Sequence, residues 1–270
     1  LEKVAKSQDL KTKICGIFVD AQNDSLVEKI DSSEKFFCND ELKAPYMKWF
    51  LDGSIGARTA SLQSPYSDRP DCHGELYWSD KLLEERVAMA LDKGFLLAFH
   101  AIGDGAIDQI LRVVQPLILQ KKSESGSQSL KLKHRIEHAQ VIRPEQIASL
   151  KQDCWHLALQ PVHWFDDKKI AFERFGHERL QSTVHRLRSI SESGIDISLG
   201  TDAPIASIDP VKAMNYSAAL AIEGEGLIVE HALWRYSQEN FKQLGFEVPK
   251  LNTGDEVFLL AYENGILRRQ

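Results

Sequence analysis

The stretch Ser79-Asp-Lys-Leu-Leu-Glu-Glu-Arg-Val-Ala-Met-Ala-Leu-Asp-Lys-Gly-Phe-Leu-Leu-Ala-Phe-His100 contains one unit of the fold. Ser79 can cap a helix whose apolar residues Leu83, Val87, Ala90 and Leu91 share a face at i, i+4, i+7 and i+8, and Gly94 can stop it. The run Phe95 to His100 is too short for a helix and apolar until its last residue, as in a parallel sheet covered by helices. The same alternation extends from about residue 12 to residue 222 and predicts six strands: Lys13 to Asp20, Tyr46 to Leu51, Phe95 to His100, Leu132 to His138, His156 to Gln160 and Ile195 to Gly200. The fold class is therefore α/β, and 270 residues match the roughly 250 of one α/β barrel.

Between the strands, Arg143-Pro144-Glu145 opens a helix with proline in its first turn, and Glu192-Ser193-Gly194 closes another. The polar run Lys121 to Ser129 reads as a loop. A helical pattern from Leu227 continues to about Leu244, and Glu256 to Tyr262 reads as a single strand outside the barrel. Residues 1–245 are thus expected to form the barrel domain and 246–270 part of a small β-domain. A closed barrel has eight strands, so two are absent from this pattern.

Composition bounds the function. With 43% apolar and 27% charged residues the chain can bury a sizeable core, which argues against disorder. A net charge of -6 and the lack of a basic cluster interleaved with aromatics exclude the usual nucleic-acid surface. No apolar run is long enough to span a bilayer and no secretory segment opens the chain, so a cytoplasmic location is expected. Cys15, Cys38, Cys72 and Cys154 are widely spaced, which fits free thiols better than disulfides or a cysteine zinc site. The first residue, Leu1, lies inside a polar helix-like stretch, and the chain is read as a fragment of a longer one.

The polar residues at the strand ends carry the chemistry. Active sites of α/β barrels gather where strands end, and here His100 closes one strand, His138 closes the next and Asp202 follows the last by two residues. Two imidazoles and a carboxylate suit Zn²⁺ or a similar divalent ion, with a position left for water. Such an ion lowers the pKa of its water to near 7, and Asp202 could take up the water proton and pass it to a leaving amine. A lone histidine at a strand end is more often a hydrogen-bonded structural residue; the inference rests on three such groups facing one mouth.

Four segments carry a resemblance: Lys48-Trp-Phe-Leu-Asp-Gly-Ser-Ile-Gly-Ala-Arg-Thr-Ala60, Phe99-His-Ala-Ile-Gly-Asp-Gly-Ala106, His134-Arg-Ile-Glu-His-Ala-Gln140 and Leu199-Gly-Thr-Asp-Ala-Pro204. Together they resemble amidohydrolase family 3, which includes enzymes similar to N-substituted formamide deformylase. The resemblance implies a (β/α)₈ TIM-type barrel, here incomplete with strands three to eight, and a remnant of a small β-sandwich. It implies metal ligands at His100, His138 and Asp202, with Asp202 also the general base. Lys48 matches a lysine that can be carboxylated and bridge two metals; the alternative is an ordinary pair with Asp52 or Glu137. The reaction implied is hydrolysis of an amide-like, non-peptide C–N bond in a small-molecule substrate.

Further residues are weaker candidates. Arg58 could orient substrate or only brace its loop, and His163 matches a position near the substrate or serves behind the site. Gly103-Asp104-Gly105 could open an anion-binding helix or an ordinary one. His134 shares a strand face with His138 and is read as structural, lower in the barrel, with Glu137 on the opposite face. His73, His156, His177, His185 and His231 carry no functional argument.

One departure matters. The family has a His-x-His pair on its first strand, and this sequence has none. An open barrel would expose strand edges, so a second copy could cover the gap, giving a homo-oligomer. The isolated chain is expected to be weakly active or inactive, with its metal site partly filled or empty. Two other readings stand: a Schiff-base lyase or aldolase barrel using Lys48, which borohydride trapping would reveal, and a non-catalytic barrel remnant. The substrate is not legible, because specificity lies on variable loops.

Overall fold

Six strands, β1 (Ile14–Val19), β2 (Leu42–Phe50), β3 (Leu96–Ala101), β4 (His134–His138), β5 (Trp155–Leu159) and β6 (Asp196–Leu199), pair side by side in chain order, every neighbouring pair parallel. The computed structural model describes residues 13–31, 42–125, 132–151, 154–219, 224–248, 260–263 and 266–269. Each expected strand is present. Only β2 begins well ahead of its expected start, with Pro45 inside it; the pairing passes from Cys15↔Lys43 to Ile17↔Tyr46, so Gly16 opposes both Ala44 and Pro45. A proline cannot donate to the ladder, and this bulge accommodates it.

Helices are present where start and stop signals are read, at Ser79, Pro144 and Gly194, and several more lie where none is read. Short α1 (Leu26–Lys29) precedes β2, and α2 (Asp80–Asp92) starts at Ser79, whose hydroxyl accepts from the Leu82 amide at 3.3 Å. Gly94, at φ 76°, turns the chain into β3. Then come α3 (Asp104–Gln109), a π-helical turn (Ile110–Val114) and α4 (Gln115–Ser125), followed by α5 (Pro144–Leu150), a 3₁₀ turn (Pro161–His163), α6 (Trp164–Thr183), α7 (Leu187–Glu192), α8 (Pro210–Ala218), α9 (Val229–Tyr236) and α10 (Gln238–Gln243).

The loop expected over Lys121 to Ser129 is helical as far as Ser125, and residues 126–129 lie outside the described part. Its polar residues form a solvated helix end, where Gln120 donates to Glu124 one turn on and Lys121 pairs with Asp92 at 2.7 Å. The helix expected after Leu227 is broken in two at Ser237, whose hydroxyl donates to the Leu233 carbonyl at 2.6 Å. At the tail the single strand expected is a hairpin, β7 (Leu260–Glu263) antiparallel to β8 (Ile266–Arg269), separate from the six-stranded sheet; residues 256–259 lie outside the described part. Cys15, Cys72 and Cys154 form no disulfide among the described residues, which do not include Cys38.

The two faces of the sheet differ in chemistry. Trp49, Phe99, Ile136, Leu157 and Ile197 point toward the helices and are buried in one core; Trp49 stacks on Phe99 at 5.5 Å and Phe99 meets Trp155 edge-on at 6.2 Å. The other face presents Lys48, His100, Arg135, Glu137, His156 and Ser198, aligned by the register through Ala98↔Arg135, His100↔Glu137 and Arg135↔His156. A parallel sheet with its core on one face only is the wall of an α/β barrel, and the polar face is the one a barrel encloses.

This assignment reverses one expectation: His134 lies on the helix side rather than low inside the barrel. Its Nδ1 accepts from the Leu97 amide at 3.0 Å and its ring meets Trp155 edge-on at 6.0 Å. Burial pushes its pKa down to about 4. Between about pH 6.5, the ordinary value, and about pH 4 the unfolded chain takes up a proton that the folded chain refuses. The stability due to neutral His134 is therefore complete above pH 6.5 and is lost as pH falls toward 4. Denaturation midpoints measured across this range should fall less steeply in His134→Asn, which keeps an acceptor but cannot titrate; an unchanged slope contradicts the assignment.

Candidate active site

Strand ends bring the candidate residues together, and two unusual backbone turns aim them. By alternation His138 belongs on the helix face with His134 and Ile136. Its φ of 79° and that of Ala139, 44°, swing the chain end over, so that the His138 ring lies against His100 with centroids 4.5 Å apart. Positive φ is costly for non-glycine residues and persists where the surroundings enforce it, as they do at many functional sites. Asp202, just beyond β6, also has positive φ, 57°.

His163 closes the 3₁₀ turn after β5 and stacks on His138, centroids 5.9 Å apart and planes 22° apart. Its Nε2 is 3.8 Å from Asp202 Oδ2. Ligand-type atoms of His138, His163 and Asp202 all lie within 4.8 Å of one another. His100 borders this group through His138, while its Nε2 donates to the Gly53 carbonyl at 3.0 Å and is 3.7 Å from Asp52. Sequence reasoning placed His100, His138 and Asp202 together and His163 on the substrate side. The structure brings His163 into the tightest group and sets His100 beside it.

Electrostatics favours neutral imidazoles. Burial is the leading cause that lowers the pKa of His100, His138 and His163, and at His138 the other two histidines add to it. Buried His138 Nδ1 and His163 Nε2 have no hydrogen-bond partner among the described residues. His156 is also buried without partners, but it sits deeper in the sheet; His138 and His163 face a carboxylate that is 41% exposed. A buried polar atom without a partner costs free energy unless something else satisfies it, and two neutral imidazoles with one carboxylate are a donor set suited to a divalent cation.

Lys48 is on the barrel face of β2, level with Ala98, its Nζ 4.6 Å from the centroid of the Phe50 ring. Neither expected alternative partner holds it: Glu137 pairs with Arg135 at 2.8 Å, and Asp52 is committed to the backbone. Arg58 braces its loop, its guanidinium forked onto Asp68 at 2.7 and 3.2 Å, while Arg174 binds the same carboxylate.

Asp52 organises the mouth in a way the sequence did not disclose. Its carboxylate accepts from the amides of Ser61, Ile102 and Gly103 at 2.9, 2.9 and 2.8 Å, tying the β2 loop to the loop after His100. Burial pushes its pKa up to about 7 against the pull of those amides. Gly105 donates to the Ser61 carbonyl at 2.8 Å, and a Cβ on Gly103 would lie 1.9 Å from that oxygen. The start of α3 is thus filled by the protein's own groups, so of the two expectations for Gly103 to Gly105 the ordinary helix start holds.

A parallel sheet with helices on one face and imidazoles and a carboxylate at its strand ends defines a class, and comparison with known proteins agrees: the amidohydrolase family model matches residues 1–255, and the chain belongs to this family. YtcJ of Bacillus subtilis (strain 168), a protein assigned to the amidohydrolases, is 32% identical over 189 residues, covering 68% of this chain and 33% of that protein. LONG AFTER FAR-RED 3 of Arabidopsis thaliana is 32% identical over 170 residues, 62% of this chain and 28% of that protein. Uncharacterized metal-dependent hydrolases from Pyrococcus furiosus and Pyrococcus horikoshii OT3 share 29% and 27% identity, with TM-scores of 0.67 and 0.69. They cover 81% and 85% of this chain, which in turn spans 44% and 46% of theirs. The chain thus spans about a third of the curated relatives and under half of these structures.

Asp52→Asn tests the loop anchor. One oxygen becomes an NH₂ facing a backbone N–H, so the variant should lose about 1–3 kcal/mol of stability by denaturant unfolding. No loss would show that the three amides are satisfied without the carboxylate.

Proposed function

We propose that this chain carries most of the catalytic site of a metal-dependent hydrolase that cleaves an amide-like, non-peptide C–N bond. The observation that carries the reading is the convergence of His138, His163 and Asp202, with unsatisfied imidazole nitrogens facing a carboxylate. His138 and Asp202 would hold a divalent ion, Zn²⁺ by this nitrogen and oxygen donor set, with a further imidazole from the adjoining pair His100 and His163. Such an ion, when bound, polarises the scissile carbonyl and acidifies the attacking water.

The remaining steps belong to the protein's own groups. Asp202, the most exposed of the group, takes up the proton of the attacking water and returns it to the leaving amine. The buried histidines stay neutral and keep bulk water from one side of the reacting bond. Lys48, free of Asp52 and Glu137, is the site at which carboxylation would add a second anionic ligand. The substrate is a small molecule. No described helix is long and apolar enough to cross a membrane, and a cytoplasmic location belongs to the proposal. Because no His-x-His pair occurs in these 270 residues, turnover by the chain alone is expected to be weak or nil.

Metal binding is therefore the decisive test. Added Zn²⁺ at about 100 times Kd should stabilise the wild-type chain by about 2.7 kcal/mol in thermal unfolding. His138→Ala and Asp202→Asn should weaken binding by about 10–100-fold or more. Equal Zn²⁺ stabilisation in all three proteins would refute the site. Any cleavage of formamide or carbamate probes by the chain should disappear with a chelator, and chelator-resistant cleavage would refute the metal dependence.

A further inference from the structure

Three imidazoles border the Asp202 mouth, and the hydrogen bonds behind one of them fix where its proton sits. Behind His163 is a part-buried polar relay drawn from three parts of the chain. Gln140, two residues beyond His138, places its side-chain Nε2 3.3 Å from His163 Nδ1 and 3.3 Å from Asp167 Oδ2, and Asp167 stands in the first turn of α6. His185, between α6 and α7, secures both: its backbone N–H donates to the Gln140 carbonyl at 2.7 Å, and its ring Nε2 is 3.4 Å from Asp167 Oδ2.

Chemistry sets the direction of each bond. A carboxylate accepts, so the Gln140 group that meets Asp167 is the amide NH₂ and not its oxygen. The same nitrogen then has its second hydrogen for His163 Nδ1, which must accept. A ring nitrogen that accepts carries no proton, so the single N–H of an imidazole that accepts at Nδ1 is on Nε2. Nε2 is the atom that faces Asp202 at 3.8 Å and lacks a partner.

We infer that Gln140, backed by Asp167 and His185, is a positioning residue that locks His163 as the Nε2–H tautomer, making His163 a hydrogen-bond donor to the reacting oxygen or to Asp202 instead of a metal ligand. This rests on the metal-hydrolase reading and narrows it. With the lone pair of His163 turned away, the imidazoles left for the ion are His138 and His100. His100 already donates from Nε2 to Gly53 and so keeps its lone pair on Nδ1. A donor at His163 would stabilise the charge that builds on the carbonyl oxygen as water adds to the carbonyl carbon, without itself binding the ion.

The test is the long-range ¹H–¹⁵N spectrum of the histidine-labelled, metal-free chain, with His163 assigned by His163→Gln. Nδ1 of His163 should show the unprotonated and Nε2 the protonated type of shift, and Gln140→Met should move both toward the average of two tautomers. A proton on Nδ1 in the wild type overturns the inference, as does an unmoved spectrum in folded Gln140→Met; should that variant not fold, the wild-type spectrum decides. On adding Zn²⁺, His138 and His100 should shift while His163 keeps its Nε2 proton, and loss of that proton overturns the inference. If no histidine responds to Zn²⁺, the metal reading fails separately, while the tautomer result on the metal-free chain still decides the role of Gln140.

Discussion

Desolvation of imidazoles without replacement hydrogen bonds is the constraint around which this site is arranged. His138 and His163 are stacked and largely removed from water, each with a nitrogen that the described protein leaves unsatisfied, and the Asp202 carboxylate lies 3.8 Å from His163. A protein interior tolerates such atoms where a ligand, water or ion satisfies them in the working state. Much of the local fold enforces this arrangement. The positive φ at His138, Ala139 and Asp202 re-aims side chains that a regular strand would direct elsewhere, and the Asp52 carboxylate clips two loops together beside His100.

The sheet explains why the mouth is polar. Its apolar face, centred on Trp49, Phe99 and Trp155, is spent on the helices. The opposite face carries Lys48, Arg135, Glu137 and His156 in one register. Arg135 and Glu137 hold each other there, and the polar layer leads up to the imidazoles. Local covalent order and long-range packing thus converge on the same end of the sheet, as the barrel architecture requires.

How much of this was legible in the sequence depended on whether the signal was local. Strands announced themselves as short apolar runs, and Ser79, Gly94 and Pro144 marked helix ends through capping chemistry that needs no tertiary context. His100, His138 and Asp202 were visible because they end strands. His163's entry into the tightest group was not, since it depends on a 3₁₀ turn and on a backbone twist at His138 that periodicity cannot show. The face of His134 was misjudged for the same reason: alternation says which residues are opposed, not which side the helices cover. Asp52, Gln140 and His185 act through contacts many residues away, and no spacing rule marks them. The polar end of α4 was missed because composition was taken for conformation, and at the tail only the first strand of the hairpin was read.

The most direct measurement is X-ray absorption at the zinc edge of the chain loaded with one equivalent of Zn²⁺. The account predicts a shell of nitrogen and oxygen neighbours at about 2.0–2.2 Å with the outer scattering of two imidazoles, reduced to one in His138→Ala. A shell of oxygens alone, a sulfur neighbour, or a spectrum unchanged by that substitution would contradict it.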